Sequence, residues 1–341
     1  MKKVVGILVN DVHLNKENGE LVKSIFIQLV KICKNNNTNR IFCGGDVFTS
    51  RSGQPLSCLT YWKEILRYLT VNKIELHVIP GNHDKTDKDS EKSYLEVFSD
   101  PSQILYSRGE VVNIEGVDFT FMPYFGEERW IEEFNELEFD FSRPNVMITH
   151  MGFNGVKNND GSEVESSLKP SMFKKFTNVL IGHYHNSSVL SKNIRYTGSA
   201  YQNNYGETIS DKGCTLIYND GSVTHQSLEF PKYIKEVIDV EDSESLRNLI
   251  EKYEDSTDNI RFIFRGKKVD ANKIDISFLA SKGIDAKFEA VEVEKAIQLS
   301  EDEGVICYDK KVLLKDFIKF CSENDIKGKQ LKYGMSLMKE L

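Results

Sequence analysis

The sequence predicts an α/β protein: two sheets packed face to face with helices outside, then a small α+β domain and C-terminal helices. Three observations carry this prediction. Strand-like and helix-like stretches alternate up to Gly81, the order expected of parallel strands joined by crossover helices. From about 103 to 229 the stretches become shorter strands separated by turn signals, enough for a second sheet. Beyond Pro231 the pattern changes to a compact βαβαβ order.

Residues 3–9 (KVVGILV), uncharged from Val4 onward, read as a buried first strand. Residues 20–34 carry apolar side chains at helical spacing, and Asn35-Asn36-Asn37 ends that helix. Residues 39–43 read as a second strand, 56–72 as a second helix, and 74–79 as a third strand ending at Pro80-Gly81. A hairpin break is expected at Glu115-Gly116, and further strands at 145–149 and 178–181. Between 187 and 229, Thr197-Gly198 and Asn219-Asp220-Gly221 mark turns between paired strands. The βαβαβ unit reads as strand, helix 243–253, strand 259–265, helix about 271–282, strand 286–291. The boundaries expected are 1–230, 231–297 and 298–341. The last segment comprises the polar linker Ser300–Gly304 and helices at 309–323 and 329–341.

Composition narrows the function classes. No apolar run approaches the roughly 18 residues of a membrane span. The six cysteines are scattered without a CxxC pair, as expected of reduced thiols in a cytoplasmic protein. The start MKKVVGILVND lacks a signal peptide's cleavage site and is interrupted by Asp11. A formal net charge of −8 argues against a simple nucleic-acid binder, because phosphate contacts call for a basic surface.

The chemistry lies where the core strands end. Asp11-Val12-His13 follows the first strand, Gly45-Asp46 the second, and Gly81-Asn82-His83-Asp84 the third. His150 follows the strand at 145–149, and Gly182-His183-Tyr184-His185 the strand at 178–181. Ligands of open α/β sheets bind outside the carboxyl ends of the strands, so all five motifs are expected at one rim. A lone DxH or GH is ordinarily a turn, and a single histidine is more often structural than ligating. Five such motifs in order are hard to read as separate accidents, and five of the seven histidines fall in them. His77, inside a strand, and His225, in a late hairpin, take the structural reading. Carboxylate, amide and imidazole donors together suit Mn²⁺, Fe²⁺ or Zn²⁺ better than Mg²⁺ or Ca²⁺. They outnumber the needs of one ion, and two ions about 3.5–4 Å apart are the usual device for activating water at a phosphoryl centre. Asp46, on the central loop, is the carboxylate expected to bridge them.

The ordered set DxH, GD, GNHD, H, GHxH resembles the calcineurin-like metallophosphoesterase superfamily over roughly residues 1–230. Within it the chain resembles the SbcD-type DNA repair and recombination nucleases, including those of bacteriophages. Asp11-Val12-His13-Leu14, Gly45-Asp46-Val47-Phe48, Asp84 after Asn82-His83, and Gly198-Ser199-Ala200-Tyr201-Gln202 with Tyr205-Gly206-Glu207 and Lys212-Gly213 carry that resemblance. Thr49, Asn15 and Ala200 depart from the family pattern at Asp, Gly and Pro positions; none of these is a metal ligand.

The resemblance implies the metallophosphoesterase sandwich and two Mn²⁺ ions. Asp11, His13, Asp46 and His185 would hold one, and Asp46, Asn82, His150 and His183 the other. His83 would face the substrate and protonate the leaving oxygen, with Asp84 orienting it. The implied activity is exo- and endonucleolytic hydrolysis of DNA, in a homodimer partnered by an SbcC-type SMC-like ATPase. The βαβαβ unit would be a DNA-positioning cap. The terminal helices either dock on the ATPase or pack on their own domain. Arg51 and the turn Arg265-Gly266-Lys267-Lys268 either contact DNA phosphates or are simply solvated. A phosphatase acting on a small molecule or phosphoprotein uses the same core, because fold does not determine substrate.

Overall fold

The computed structural model describes residues 2–290 except 157–162, 210–211, 268–269 and 272–273, together with 317, 319–321 and 331. The chain divides into two units, Met1–Val291 and Glu292–Leu341. The linker and the helices expected at 309–323 and 329–341 therefore lie almost wholly outside the described residues, as does part of the basic turn at Lys268.

The first strands follow the predicted order: β1 (Val4–Val9), α1 (Gly19–Asn35), β2 (Arg40–Cys43), α2 (Leu56–Val71) and β3 (Glu75–Val78). Then come β4 (Gln103–Leu105), β5 (Glu110–Ile114), β6 (Val117–Met122), α3 (Glu127–Asn135), β7 (Asn145–Thr149) and β8 (Asn178–Ile181). The strands β9 (Ser188–Ser191), β10 (Ile194–Tyr196), β11 (Gly213–Tyr218) and β12 (Val223–Ser227) follow. One six-stranded sheet runs β12-β11-β1-β2-β3-β4, and a second runs β5-β6-β7-β8-β10-β9. Strands β1 to β4 are mutually parallel, and so are β6, β7, β8 and β10.

Alternation along each strand sorts side chains between two cores. Ile41 and Cys43 of β2 face α1 and α2, among Phe26, Leu29, Trp62 and Leu66. Phe42 faces the other way, into an inter-sheet core with Leu8, Phe119, Phe121, Val146, Ile148 and Leu180. The outer face of the second sheet packs Met147, Val179 and Ile181 against Trp130 of α3 and Phe173. The layers are therefore helix, sheet, sheet, helix. Each fully buried Leu, Ile or Phe in them contributes about 1.5–3 kcal/mol.

Three features depart from the sequence expectations. Helix α3 was not predicted: its apolar face is only Trp130, Ile131 and Phe134 in an otherwise acidic stretch. The β9–β10 hairpin turns at Lys192-Asn193, whereas Thr197-Gly198 lies beyond β10, with Gly198 at φ 78°. The helix expected near 271–282 forms α5 only over Ile276–Ser281, starting where the Asp275 carboxylate caps the Phe278 N–H.

Strands β13 (Tyr233–Asp239), β14 (Asn259–Gly266) and β15 (Ile284–Ala290) make a separate parallel sheet, with α4 (Ser243–Tyr253) and α5 as crossovers. Its own core holds Ile238, Ile260, Phe262, Phe264, Leu279 and Ile284. Among the described residues, no helix is long and apolar enough to cross a membrane. Cys33, Cys43, Cys58, Cys214 and Cys321 are free and buried.

Candidate metal centre

Register brings the motifs together. Val9, Cys43 and Val78, the last residues of β1, β2 and β3, pair in one row. Thr149 and Ile181 end β7 and β8 in a second row, on the facing sheet. The loops that follow emerge at a common rim and are stitched together by their backbones. The Asp11 N–H donates to Gly45 O (3.1 Å), His13 N–H to Asp46 O (3.1 Å) and Leu14 N–H to Val47 O (2.7 Å).

Among the described residues, seven other than glycine have positive φ, and four of them are Asp11 (53°), His13 (43°), Asp46 (53°) and His183 (87°). Left-handed backbone is unfavourable for residues with a side chain, and such strain persists where surrounding structure enforces it, commonly at functional sites. Glycines make the crowding possible. A Cβ on Gly81 would lie against the Asp46 side chain and backbone, and one on Gly182 would meet Gly44 O and His150 Nδ1, both at 2.8 Å.

Two clusters of ligand atoms result: Asp11, His13 and His185, and Asp46, His150 and His183, each with its atoms within 4.8 Å of one another. In the first, His13 Nε2 and His185 Nε2 face each other at 2.9 Å. Beside the second, the Asn82 side-chain amide stands 3.0 Å from His150 Nε2 and 2.9 Å from His183 Nδ1. Asp46 Oδ2 lies between the clusters, 3.3 Å from His150 Nε2 and 3.7 Å from His13 Nε2. All seven residues expected to hold metal thus share one rim, and a single Asp46 oxygen adjoins both groups.

Two of the rings are fixed from behind, as metal-binding histidines usually are. His150 Nδ1 meets Gly44 O at 2.9 Å, and His185 Nδ1 meets Glu207 Oε1 at 2.7 Å. His83 is half-buried beside the clusters; its Nδ1 faces Thr49 O at 2.5 Å, and its backbone N–H donates to Asp46 Oδ1 at 2.8 Å. The orienting part expected of Asp84 falls to the Thr49 carbonyl. Asp84 instead accepts backbone N–H groups of Val47 (3.2 Å), Phe48 (2.9 Å) and Gly81 (2.9 Å). Arg51 is exposed, with Nη2 3.5 Å from His83 Nε2. His77 lies away from the rim between the sheets, bonded through Nδ1 to Tyr106 Oη at 2.8 Å, and His225 is exposed on β12. Arg265, of the basic turn, is paired with Glu289 at 3.2 Å.

Burial and mutual charge set the protonation of these groups. Burial pushes Asp11 up to about 6, against the pull of His150 and His185. Burial would also raise Asp46, but His150 and His13 outweigh it and hold its carboxyl well below the usual carboxylate range. His150 loses by burial but gains more from Asp46, and rises to about 9. Burial lowers His13 to about 4 and His183 to about 3. Burial and then Asp46 push Asp84 up to about 7, against its three N–H bonds. The pattern fits cation binding. Imidazole nitrogens converging with carboxylate and amide groups suit borderline divalent ions, His13 and His183 as neutral rings and His150 once it gives up its proton, and no thiolate belongs to either cluster.

A two-sheet sandwich whose strand-end loops converge in this aspartate–asparagine–histidine rim is the scaffold of a metal-dependent phosphoesterase. The chain belongs to the calcineurin-like phosphoesterase family, whose pattern matches residues 7–187. Members bind divalent metals and hydrolyse phosphoesters. The chain is similar to a putative phosphoesterase of Invertebrate iridescent virus 6, 24% identical over 243 residues that span 69% of this chain and 82% of the relative. Exonuclease subunit 1 of Enterobacteria phage T4 is 22% identical over 327 residues, 91% of each chain. The SbcD chain of the nuclease SbcCD of Staphylococcus saprophyticus is 26% identical over 174 residues, covering 42% of this chain and 45% of that one.

Sequence reasoning assigned no role to Glu207, although it had singled out the Tyr205-Gly206-Glu207 segment. Nothing in residue spacing shows that a loop 22 residues beyond His185 returns to its ring.

Proposed function

We propose that this chain is the nuclease subunit of a DNA repair or recombination complex, hydrolysing phosphodiester bonds with two divalent cations, Mn²⁺ in preference. The observation that carries the reading is the position of Asp46 Oδ2 between two groups of ligand atoms. Asp11, His13, Asp46 and His185 would hold one cation, and Asp46, Asn82, His150 and His183 the other. Such a pair supplies an activated water and charge neutralisation at the phosphoryl group.

The chain's own residues supply the rest. A carbonyl can only accept, so Thr49 keeps a hydrogen on His83 Nδ1 and leaves Nε2 as the atom that gains or releases a proton. Nε2 is then the donor to the leaving oxygen. Arg51, beside that atom, offers a guanidinium to non-bridging phosphate oxygens. Asp84 holds the loops carrying Asp46 and His83 in fixed relation.

The DNA assignment draws on the likeness, over 91% of each chain, to a protein named as an exonuclease subunit. It carries with it the remaining expectations: a homodimer in the cytoplasm, a cap over 231–297, and a segment 298–341 that docks on an SMC-like ATPase. The net charge of −8 favours a different reading, a phosphatase for a small molecule or phosphoprotein. Purified protein assayed on linear double-stranded DNA and on p-nitrophenyl phosphate, with and without Mn²⁺, separates the two. Phosphatase activity without DNA cleavage, even with the ATPase supplied, overturns the nuclease assignment.

A further inference from the structure

We propose that Glu207 is a positioning residue that selects the tautomer of His185 and aims its Nε2 at the cation held by the Asp11–His13 group. The inference rests on the two-cation reading and adds a residue to it.

His185 needs outside support. Its side chain is 26% exposed, against 0% for His150 and 9% for His13, so packing alone does not hold the ring. Glu207 Oε1 accepts from Nδ1 at 2.7 Å. An ionised carboxylate has no hydrogen to offer, so Nδ1 carries the hydrogen and the Nε2 lone pair is left for a cation.

Glu207 is in turn held on every side. Its Oε2 lies 2.9 Å from Lys212 Nζ, and the Lys212 side chain is fully buried. The Asn203 N–H and Asn204 Nδ2 also donate to the carboxylate, each at 3.1 Å. Lys212 Nζ donates further to the His185 carbonyl and, at 3.0 Å, to Ser199 Oγ. One lysine therefore clamps both the backbone of His185 and the carboxylate that holds its ring. Burying two charges is costly unless they are paired and hydrogen-bonded, and here both are. The same loop reaches the small parallel sheet: the Tyr233 N–H donates to Gln202 Oε1 at 2.9 Å, and Arg261 stacks over Tyr205 at 3.9 Å.

The test is calorimetric titration with Mn²⁺ of the wild type, Glu207→Gln, and the double variant Glu207→Gln/Lys212→Met. The double variant leaves no buried lysine unpaired and guards against simple unfolding, which thermal melts of the cation-free proteins check. The wild type should take up two cations per chain. Both variants should bind one with unchanged affinity and the other roughly 10–100-fold more weakly. Bound Co²⁺ should show an altered visible spectrum for the weakened site alone, a change that a general loss of stability does not produce. Wild-type protein that binds no cation removes the proposed function and this inference with it. Wild type with two cations, matched by both folded variants in affinity and spectrum, overturns the inference alone.

Discussion

The carboxylate of Asp84 accepts a hydrogen bond from the backbone N–H of Phe48 at 2.9 Å, tying the loop after β3 to the loop after β2. Val47 and Gly81 donate to the other oxygen at 3.2 and 2.9 Å. Asp46 and His83 stand on these two loops, so Asp84 governs their separation without touching the reaction.

Asp84→Asn tests this role. An amide nitrogen in place of one oxygen turns a donor toward backbone donors, at roughly 1–3 kcal/mol for each buried group left unsatisfied. A lower urea midpoint with an unchanged slope is expected, together with reduced turnover. A variant as stable as wild type would show that the loops are held by other means.

His83→Gln separates chemistry from cation binding. Cation content by atomic emission should match wild type, while kcat falls roughly 10²–10⁴-fold, the usual contribution of a general acid. Loss of bound cation in this variant refutes the distinction drawn between His83 and the ligands.

Gly81→Ala should disable the site by crowding. Its methyl would press on Asp46, whereas Gly53→Ala adds a Cβ with nothing within 4 Å. Mn²⁺ uptake should be lost in the first and kept in the second. Equal uptake in both would mean that the loop yields.

Cation uptake should release protons and stabilise the fold. Without cations His150, raised to about 9 by Asp46, is protonated at pH 7.5, and a cation at its Nε2 must displace that proton. The heat of Mn²⁺ binding should therefore vary with the ionisation enthalpy of the buffer. Affinity should fall as pH drops below about 9, where His150 protonates, and more steeply below about 6, where Asp11 protonates too. At a Mn²⁺ concentration 100 times Kd, stability should rise by about 2.7 kcal/mol. A buffer-independent heat contradicts the displacement.

His77 predicts acid sensitivity remote from the metal centre. Burial lowers it from 6.5 to about 4, and Glu75 only partly offsets this. Above pH 6.5 the ring is neutral in both folded and unfolded states and makes no pH-dependent contribution. As pH falls from 6.5 to 4 the unfolded chain binds a proton that the folded chain refuses, so stability drops by up to about 3 kcal/mol. His77→Phe retains stacking on Phe121, whose ring centroid is 5.7 Å away, and should lose less stability between pH 7 and 4.5. Parallel losses in the two proteins would exonerate His77.

Much of the site could be read from the chain because its logic is local. An apolar run such as Val4–Val9 can only be buried, and a polar motif directly after it must surface at the strand's end. The same reading missed α3, whose buried face is a few residues anchored by Trp130, too short a signal in an acidic stretch. It also misplaced the β9–β10 turn. The conformational freedom of Gly198 marks a bend, but pairing of Arg195 with Val189 decides where the hairpin folds.

By itself the sequence determined which polar motifs stand at which strand ends, because hydrophobic periodicity and residue type are properties of neighbours in the chain. Tertiary structure decided what those residues do to one another. The register of Val9 with Cys43 and Val78 sets the rim, and packing forces Asp11, His13, Asp46 and His183 into left-handed backbone. It also gives Asp84 to backbone amides and His185 to Glu207. Hydrogen bonds, strain and pKa shifts depend on distances between segments far apart in the chain, and only the folded core fixes those distances.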